Sequence, residues 1–392
     1  MLTPLRFILL LGLVLPALGQ SRLGNVVVDV DKATIPVRVS ANTEELNRLA
    51  NEAFRVHGRY RVVASNFTYD LRFTLLAPNQ VRVDVLAAGG SPVASQVVNG
   101  ATPRQALLRA ADLAVAETNG LGLHGFFTAR IAFIGERTGR REVYVSDLFL
   151  GEAKQVTRDN AQVLTPRWSP DGTRVVYTSF FKNGFPDIYE YDLNTYQRST
   201  LVTLRGSNLG ARFSPNGQQL AMVLSGEGTS EIYVSNAQGK AIARRTHSDR
   251  VKASPCWSPD GSRLVFTMEP GPQLYVMPAA GGPPRRLTTG STYAAEPDWS
   301  RANPARIACT VQSGGRYQIA VYDDGKGAAA VVSKAPFDGI EPCWLADGRH
   351  LVYTARERST SVLCILDTDT GKSTAISGPF GAPAYQANVW TP

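Results

Sequence analysis

Side chains able to do covalent or metal chemistry are few in this sequence, and their spacing suits no familiar reaction. There is no Gly-x-Ser-x-Gly nucleophile turn, His-Glu-x-x-His helix, phosphate-cradling P-loop or Cys-x-x-Cys pair among the 392 residues. Serine acyl transfer, zinc hydrolysis and nucleotide phosphate chemistry therefore lack their usual residue sets. Of four histidines only His247 and His350 fall in the repeat region described below, too few for a histidine metal site. His350 aligns with arginines at a strand start, which predicts an exposed repeat position. No cofactor and no metal is expected. Acids such as Glu296 and Glu341 remain, and they could turn over a glycan or ester if the fold gathers them in a channel.

Positioning any such residue falls to a repeated element, Pro-x-Trp-Ser-Pro-Asp-Gly. Clear copies run Pro166-Arg167-Trp168-Ser169-Pro170-Asp171-Gly172, Ala211-Arg212-Phe213-Ser214-Pro215-Asn216-Gly217 and Pro255-Cys256-Trp257-Ser258-Pro259-Asp260-Gly261. Weaker copies carry Trp299, Trp344 and the terminal Trp390-Thr391-Pro392. All five tryptophans occupy this one place and Phe213 fills the sixth, so the anchors are Trp168, Phe213, Trp257, Trp299, Trp344 and Trp390, spaced by 45, 44, 42, 45 and 46 residues.

Each anchor leads into a strand of one pattern, such as Arg174-Val175-Val176-Tyr177 or His350-Leu351-Val352-Tyr353, and an extra copy, Arg130-Ile131-Ala132-Phe133, precedes them all. Proline presets the first corner of a type I turn, Asp or Asn bonds the local backbone and glycine accepts the exit geometry, so the element reads as a hairpin. The aromatic ring before it is placed to wedge between adjacent sheets. Four strands in about 40–45 residues is propeller periodicity. Residues 130–157 supply outer strands without an inner one, and Tyr385–Trp390 supplies an inner strand without outer ones. Together they make a sixth blade, which predicts a closed six-bladed ring that loss of residues 384–392 would open. Cys343 and Cys364 fall on first and third strands of one blade, about 9–10 Å apart and beyond disulfide reach. The four cysteines read as small buried hydrophobes.

Residues 1–19 read as a cleaved export signal, with Arg6 at its positive end, an apolar run over Phe7–Leu15 and small residues before the cut. That run is too short to span a bilayer. Removing Arg6 takes the formal charge from +8 to +7. Without a run of Lys or Arg, this moderate basicity does not point to nucleic acid.

Residues 20–125 lack the repeat and mix strands (Val26–Val30, Tyr60–Val63, Leu71–Leu75, Val81–Val85, Ser95–Val98) with two helices. One helix begins after Asn42 or Thr43; the other is capped by Thr102, with Pro103 at its first position. The fold class is thus mainly β: a small N-terminal α/β (α+β) domain over 20–125 and a six-bladed β-propeller over 126–392.

With this order of export segment, α/β unit, Phe126-Phe127-Thr128-Ala129-Arg130 lead-in, ring and terminal Trp-Thr-Pro, the sequence resembles the TolB family of the Tol–Pal system over nearly all the mature chain. The resemblance implies a periplasmic protein that binds the peptidoglycan-associated lipoprotein Pal, contacts TolA and supports outer-membrane constriction at division. It implies a Pal site on one propeller mouth, carried by position to Ser207, Asn208 and Gly210, Ala253 and Ser254, Tyr293 with Glu296, and Asp338 with Glu341. These residues read equally as the polar lining of a wet channel or as turn caps. It also implies a strand-forming contact with a TolA-like protein, for which Val26, Val27, Val28, Asp29 and Val30 are the one candidate. The same five residues read as an internal strand of the α/β domain. The residues alone leave a hydrolytic or glycan-active propeller and a general envelope scaffold open beside this adaptor.

Overall fold

A computed structural model describes residues 34–358 and 360–392. The export segment and Val26–Val30 lie outside the described residues. Strands β1 (Ile35–Ala41), β2 (Tyr60–Val62), β3 (Tyr69–Ala77), β4 (Gln80–Ala87) and β5 (Pro92–Asn99) form one sheet in the order β2-β1-β3-β4-β5. Its interior strand β1 is absent from the sequence-based expectation: Pro36, a residue that argues against a mid-sheet strand, stands near its start. Parallel pairing of β1 with both neighbours requires crossover connections, and helix α1 (Glu44–Val56) supplies the one between β1 and β2.

The Thr43 hydroxyl accepts from Leu46 N and caps α1, and Glu44 and Glu45 complement its dipole. Helix α2 (Pro103–Thr118) is capped in the same way by Thr102. Leu46, Leu49, Phe54, Leu107, Ala110 and Ala114 bury the helices against Val37, Leu71, Phe73, Val81 and Val83 of the sheet.

Between Arg130 and Trp390 the described residues form six four-stranded antiparallel sheets, making the protein mainly β with a six-bladed propeller. Blades 1 to 5 begin with the inner strands Val163–Trp168, Asn208–Phe213, Lys252–Trp257, Ala294–Trp299 and Asp338–Trp344. The sixth joins the last strand, Ala384–Trp390, to Arg130–Gly135, Glu142–Asp147 and Lys154–Gln155. All four cysteines are buried and free.

Five anchors hold one register and are nearly fully buried: Trp168, Phe213, Trp257, Trp299 and Trp344 pair with Val175, Leu220, Leu264, Ile307 and Leu351. In the closing blade Val389 takes that place, opposite Ile131, and Trp390 pairs one step further on with Arg130. The expected sixth anchor is therefore displaced. Side chains alternate faces along a strand, so one step turns Trp390 away from the anchor position. It is half-buried, its ring 5.9 Å from that of Trp168 and its Nε1 donating to the Pro170 carbonyl at 2.9 Å.

His350 corrects a second expectation, for it is wholly buried. The C-terminal end of α1 lands on it. His57 packs edge to face against His350 at 4.5 Å, and Phe126 closes on both rings. Around them, Lys372 Nζ donates to the Arg55 carbonyl (2.6 Å), Arg104 pairs with Asp147 (2.9 Å) and Gly58 leaves no room for a Cβ against Asp367. His57, Asp347 and His350 bring ligand-type atoms within 4.8 Å of one another, a gathering that counting propeller histidines did not reveal. Asp347 already accepts from Arg349 N, His350 N and His350 Nδ1. The cluster is thus a packed joint, in which burial and the nearby His350 hold the His57 imidazole well below its ordinary pKa.

Candidate functional site

Each of the six inner strands skips two residues in its pairing with the next strand, for instance between Ile340 and Cys343, and so forms a bulge. The first skipped residue of every bulge is left-handed: Thr165 (φ 48°), Gly210 (62°), Ser254 (52°), Glu296 (56°), Glu341 (57°) and Gln386 (53°). Only one of the six is glycine. For the others this backbone costs about 1–2 kcal/mol each, and strain of this kind collects where a structure is shaped for binding.

The bulges are tied from blade to blade. Glu296 Oε2 accepts from Thr310 Oγ1 (2.7 Å) and from Glu341 N (2.9 Å). The Glu341 carboxylate accepts from Thr354 Oγ1 (2.8 Å) and Gln386 Nε2 (2.9 Å), and Gln386 Oε1 accepts from Thr165 N (2.9 Å). Four of the six bulge residues are therefore joined in one continuous polar chain. Across from it Gly210, Ala253 and Ser254 present little or no side chain, so the neck is open on that side.

These bulges surround a cavity of about 360 Å³ at the end where the inner strands begin. Burial, reinforced by the Glu296 carboxylate, pushes the Glu341 carboxyl up to about 7, while the bonds from Gln386 and Thr354 pull the other way. Deeper in, Arg212 pairs with Asp298 at 2.9 Å, and burial followed by the neighbouring Arg212 lowers the Arg167 guanidinium. Both arginines also border a second cavity, about 610 Å³, at the turn end, where the anchor rings and residues 121–124 line it. The α/β unit packs at that turn end, through Asp147, Glu152, Asp347, His350 and Lys372. None of these contacts lies at the bulged mouth.

The structure gathers Gly210, Ala253, Ser254, Glu296 and Glu341 at the cavity and leaves the other expected residues outside its lining. Asn208 is fully buried and hydrogen-bonded within its own loops. Ser207 N donates to Ser225 Oγ (2.8 Å). Tyr293 stacks edge-on against Tyr317 (5.0 Å), and Asp338 accepts from Tyr317 N and faces Arg356 at 3.5 Å. Thr165, Gln386, Arg167, Arg212 and Lys252 line the cavity without having been singled out. Counting three residues back from each anchor would have found Thr165; Gln386 required the Val389 register.

A family model described as the TolB beta propeller domain matches residues 121–392. The Tol-Pal system proteins TolB of Bordetella pertussis (strain Tohama I) and Bordetella parapertussis (strain 12822) are each 31% identical over 164 residues. That stretch is 41% of this chain and spans only 37% of the length of those relatives. Among solved structures, TolB from Acinetobacter baumannii superposes with a TM-score of 0.79 at 22% identity, covering 91% of this chain and 96% of that one. A putative TolB from Agrobacterium tumefaciens gives 0.52 at 19% identity, covering 67% and 98%. At these identities the structural likenesses establish the fold.

Proposed function

The chain belongs to the TolB family, and from that premise we propose that it is a periplasmic adaptor of a Tol–Pal system whose bulged mouth grips a Pal-like lipoprotein. The observation that carries this reading is the strained, blade-to-blade neck around a cavity, at the end of the propeller away from the α/β unit. A rigid concave end with fixed polar groups on one arc and small residues on the other suits capture of a protein segment.

Binding rather than turnover is favoured by the acids themselves. Glu296 and Glu341 already hold hydroxyl, amide and backbone donors, which leaves neither poised over a substrate. The proposal includes export by cleavage after residue 19, a domain division between residues 125 and 126, and contact with a TolA-like protein through Val26–Val30. Its role would be to support outer-membrane integrity and constriction at division.

The test is titration of the purified soluble domain of a Pal-like lipoprotein into the protein and its Ser254→Arg variant. Ser254 is exposed and left-handed, so arginine fills the open half of the neck without new backbone strain. Saturable binding weakened about tenfold or more by the variant is expected; absence of binding to the parent protein would overturn the proposal.

A further inference from the structure

The buried Asn208 suggests where on the mouth a partner sits. Its amide nitrogen donates to the Leu204 carbonyl (2.9 Å) and to Asp187 Oδ1 (3.1 Å), and its backbone N donates to the Pro186 carbonyl (3.0 Å). Its Oδ1 accepts from Leu204 N (3.3 Å), while Asp187 Oδ2 accepts from Thr203 Oγ1 (3.0 Å). Asn208 and Asp187 are almost wholly buried. They knot the loop after Arg174–Ser179 to the loop that enters Asn208–Phe213, and two buried polar side chains engaged on this many partners hold both loops in place.

What the knot holds out is apolar. Phe185 is 65% exposed and Leu204 51%; Phe185 precedes Pro186, whose carbonyl is in the knot, and Leu204 contributes its own backbone N and carbonyl to it. Phe181 in the first loop, and Val251 beside the cavity, are exposed as well. All the exposed large hydrophobic residues in the described mouth loops fall in this arc between blades 1 and 3. Among the described residues, the loops of the other three blades at that end show none. An apolar arc held rigidly in water, next to a concave site, marks a contact surface.

Charge indicates what fits it. Lys182 and Arg205 are exposed in the same two loops, while the Arg198 guanidinium, 3.9 Å over Phe181, is already paired with Asp159. The one carboxylate of these loops, Asp187, is locked in the knot, and Glu227 in the next mouth loop is paired with Arg244 (3.0 Å). Phe185 and Leu204 therefore stand among the exposed cations Lys182 and Arg205, with the exposed Asp249 two residues from Val251 at the far end of the arc, on the side where Gly210, Ala253 and Ser254 leave the neck open.

We propose that the partner sits off-centre on this arc, an apolar segment flanked by acidic residues resting on Phe185 and Leu204 before it enters the neck past Gly210. This rests on the Pal-like reading above and names the chemistry of the partner segment.

The experiment titrates the same soluble Pal-like domain against Phe185→Ser/Leu204→Ser and Lys182→Glu/Arg205→Glu double variants, with Ser254→Arg alongside. All four substituted side chains are exposed, so circular dichroism and melting temperature should stay at parental values. The apolar double variant is expected to weaken binding about tenfold or more. The charge-reversed variant should lose about fivefold at low salt, mainly in association rate, with the difference shrinking as salt rises. Parental affinity in the apolar double variant, with Ser254→Arg defective, would overturn the off-centre seat while leaving the adaptor reading standing. Parental affinity in the charge-reversed variant would overturn the acidic character of the segment. A parent protein that does not bind the domain would overturn both readings together.

Discussion

Trp168 and Trp344 occupy equivalent places in the ring, 5% and 6% exposed, yet their indoles are satisfied differently. Trp344 Nε1 donates to the Asp298 carbonyl at 3.1 Å, whereas Trp168 Nε1 is buried with no hydrogen-bond partner. Phenylalanine, which the ring already carries at Phe213, removes the same atoms from both sites. The shared loss of ring volume should destabilise each by about 1–2 kcal/mol. At Trp344 the substitution also takes a donor from Asp298, a further loss of about 1–2 kcal/mol. At Trp168 it removes an unsatisfied N–H and recovers about 1 kcal/mol. The Arg130 guanidinium 5.1 Å over the Trp168 ring would attract phenylalanine less, offsetting about 0.5 kcal/mol of that gain. Trp344→Phe should thus lie about 2 kcal/mol below Trp168→Phe in urea unfolding followed by far-ultraviolet circular dichroism. Equal losses, or a greater loss at Trp168, would refute the reasoning that the indole partner sets the difference.

Three further outcomes follow from the same contacts. Because the Glu341 carboxyl is raised from 4.5 to about 7, the folded state holds that proton longer; the stabilisation is full below about 4.5 and fades as pH rises through 7. Glu341→Gln should therefore flatten the stability profile between about pH 5 and 8 and gain about 1–3 kcal/mol at pH 8 over the parent; an unchanged slope counts against it. His57 is held neutral, so acid favours states that expose it: no penalty exists above about pH 6.5, and it grows by about 1.4 kcal/mol per pH unit below. His57→Phe should blunt this acid limb, as read from melting temperatures at pH 5 and 7.5, and an acid limb of parental steepness would contradict the assignment. Removal of residues 384–392 deletes the inner strand of the closing blade and should lower the melting temperature by at least about 5 °C, and an unchanged value would show that the strand does not close the ring.

The blade count, the order of strands and the completion of the sixth blade by the last strand are legible in the sequence because their signals are local. Period-two apolar strands, a Ser-Pro-Asp-Gly turn and an aromatic residue recur at a fixed spacing. The mouth residues Gly210, Ser254, Glu296 and Glu341 are reachable from the same repeat, since each stands three places before its anchor. Strand Ile35–Ala41 is harder to read, because Pro36 argues locally against a strand that two parallel neighbours nonetheless hold in mid-sheet.

What remained hidden depends on partners distant in the chain. His350 follows the pattern of an exposed strand start, but the end of α1, with His57 some 290 residues earlier, covers it. Trp390 carries the motif's residue type, yet its pairing with Arg130 rather than Ile131 was set by the register of a strand pair joined only by closing the ring. Asn208 reads as a polar contact residue and is instead buried by two loops folding over it. Sequence fixes which faces of each strand are apolar, since alternation belongs to the backbone; which of those faces, and which polar side chains, water finally reaches was decided only by the packing of elements far apart in the chain.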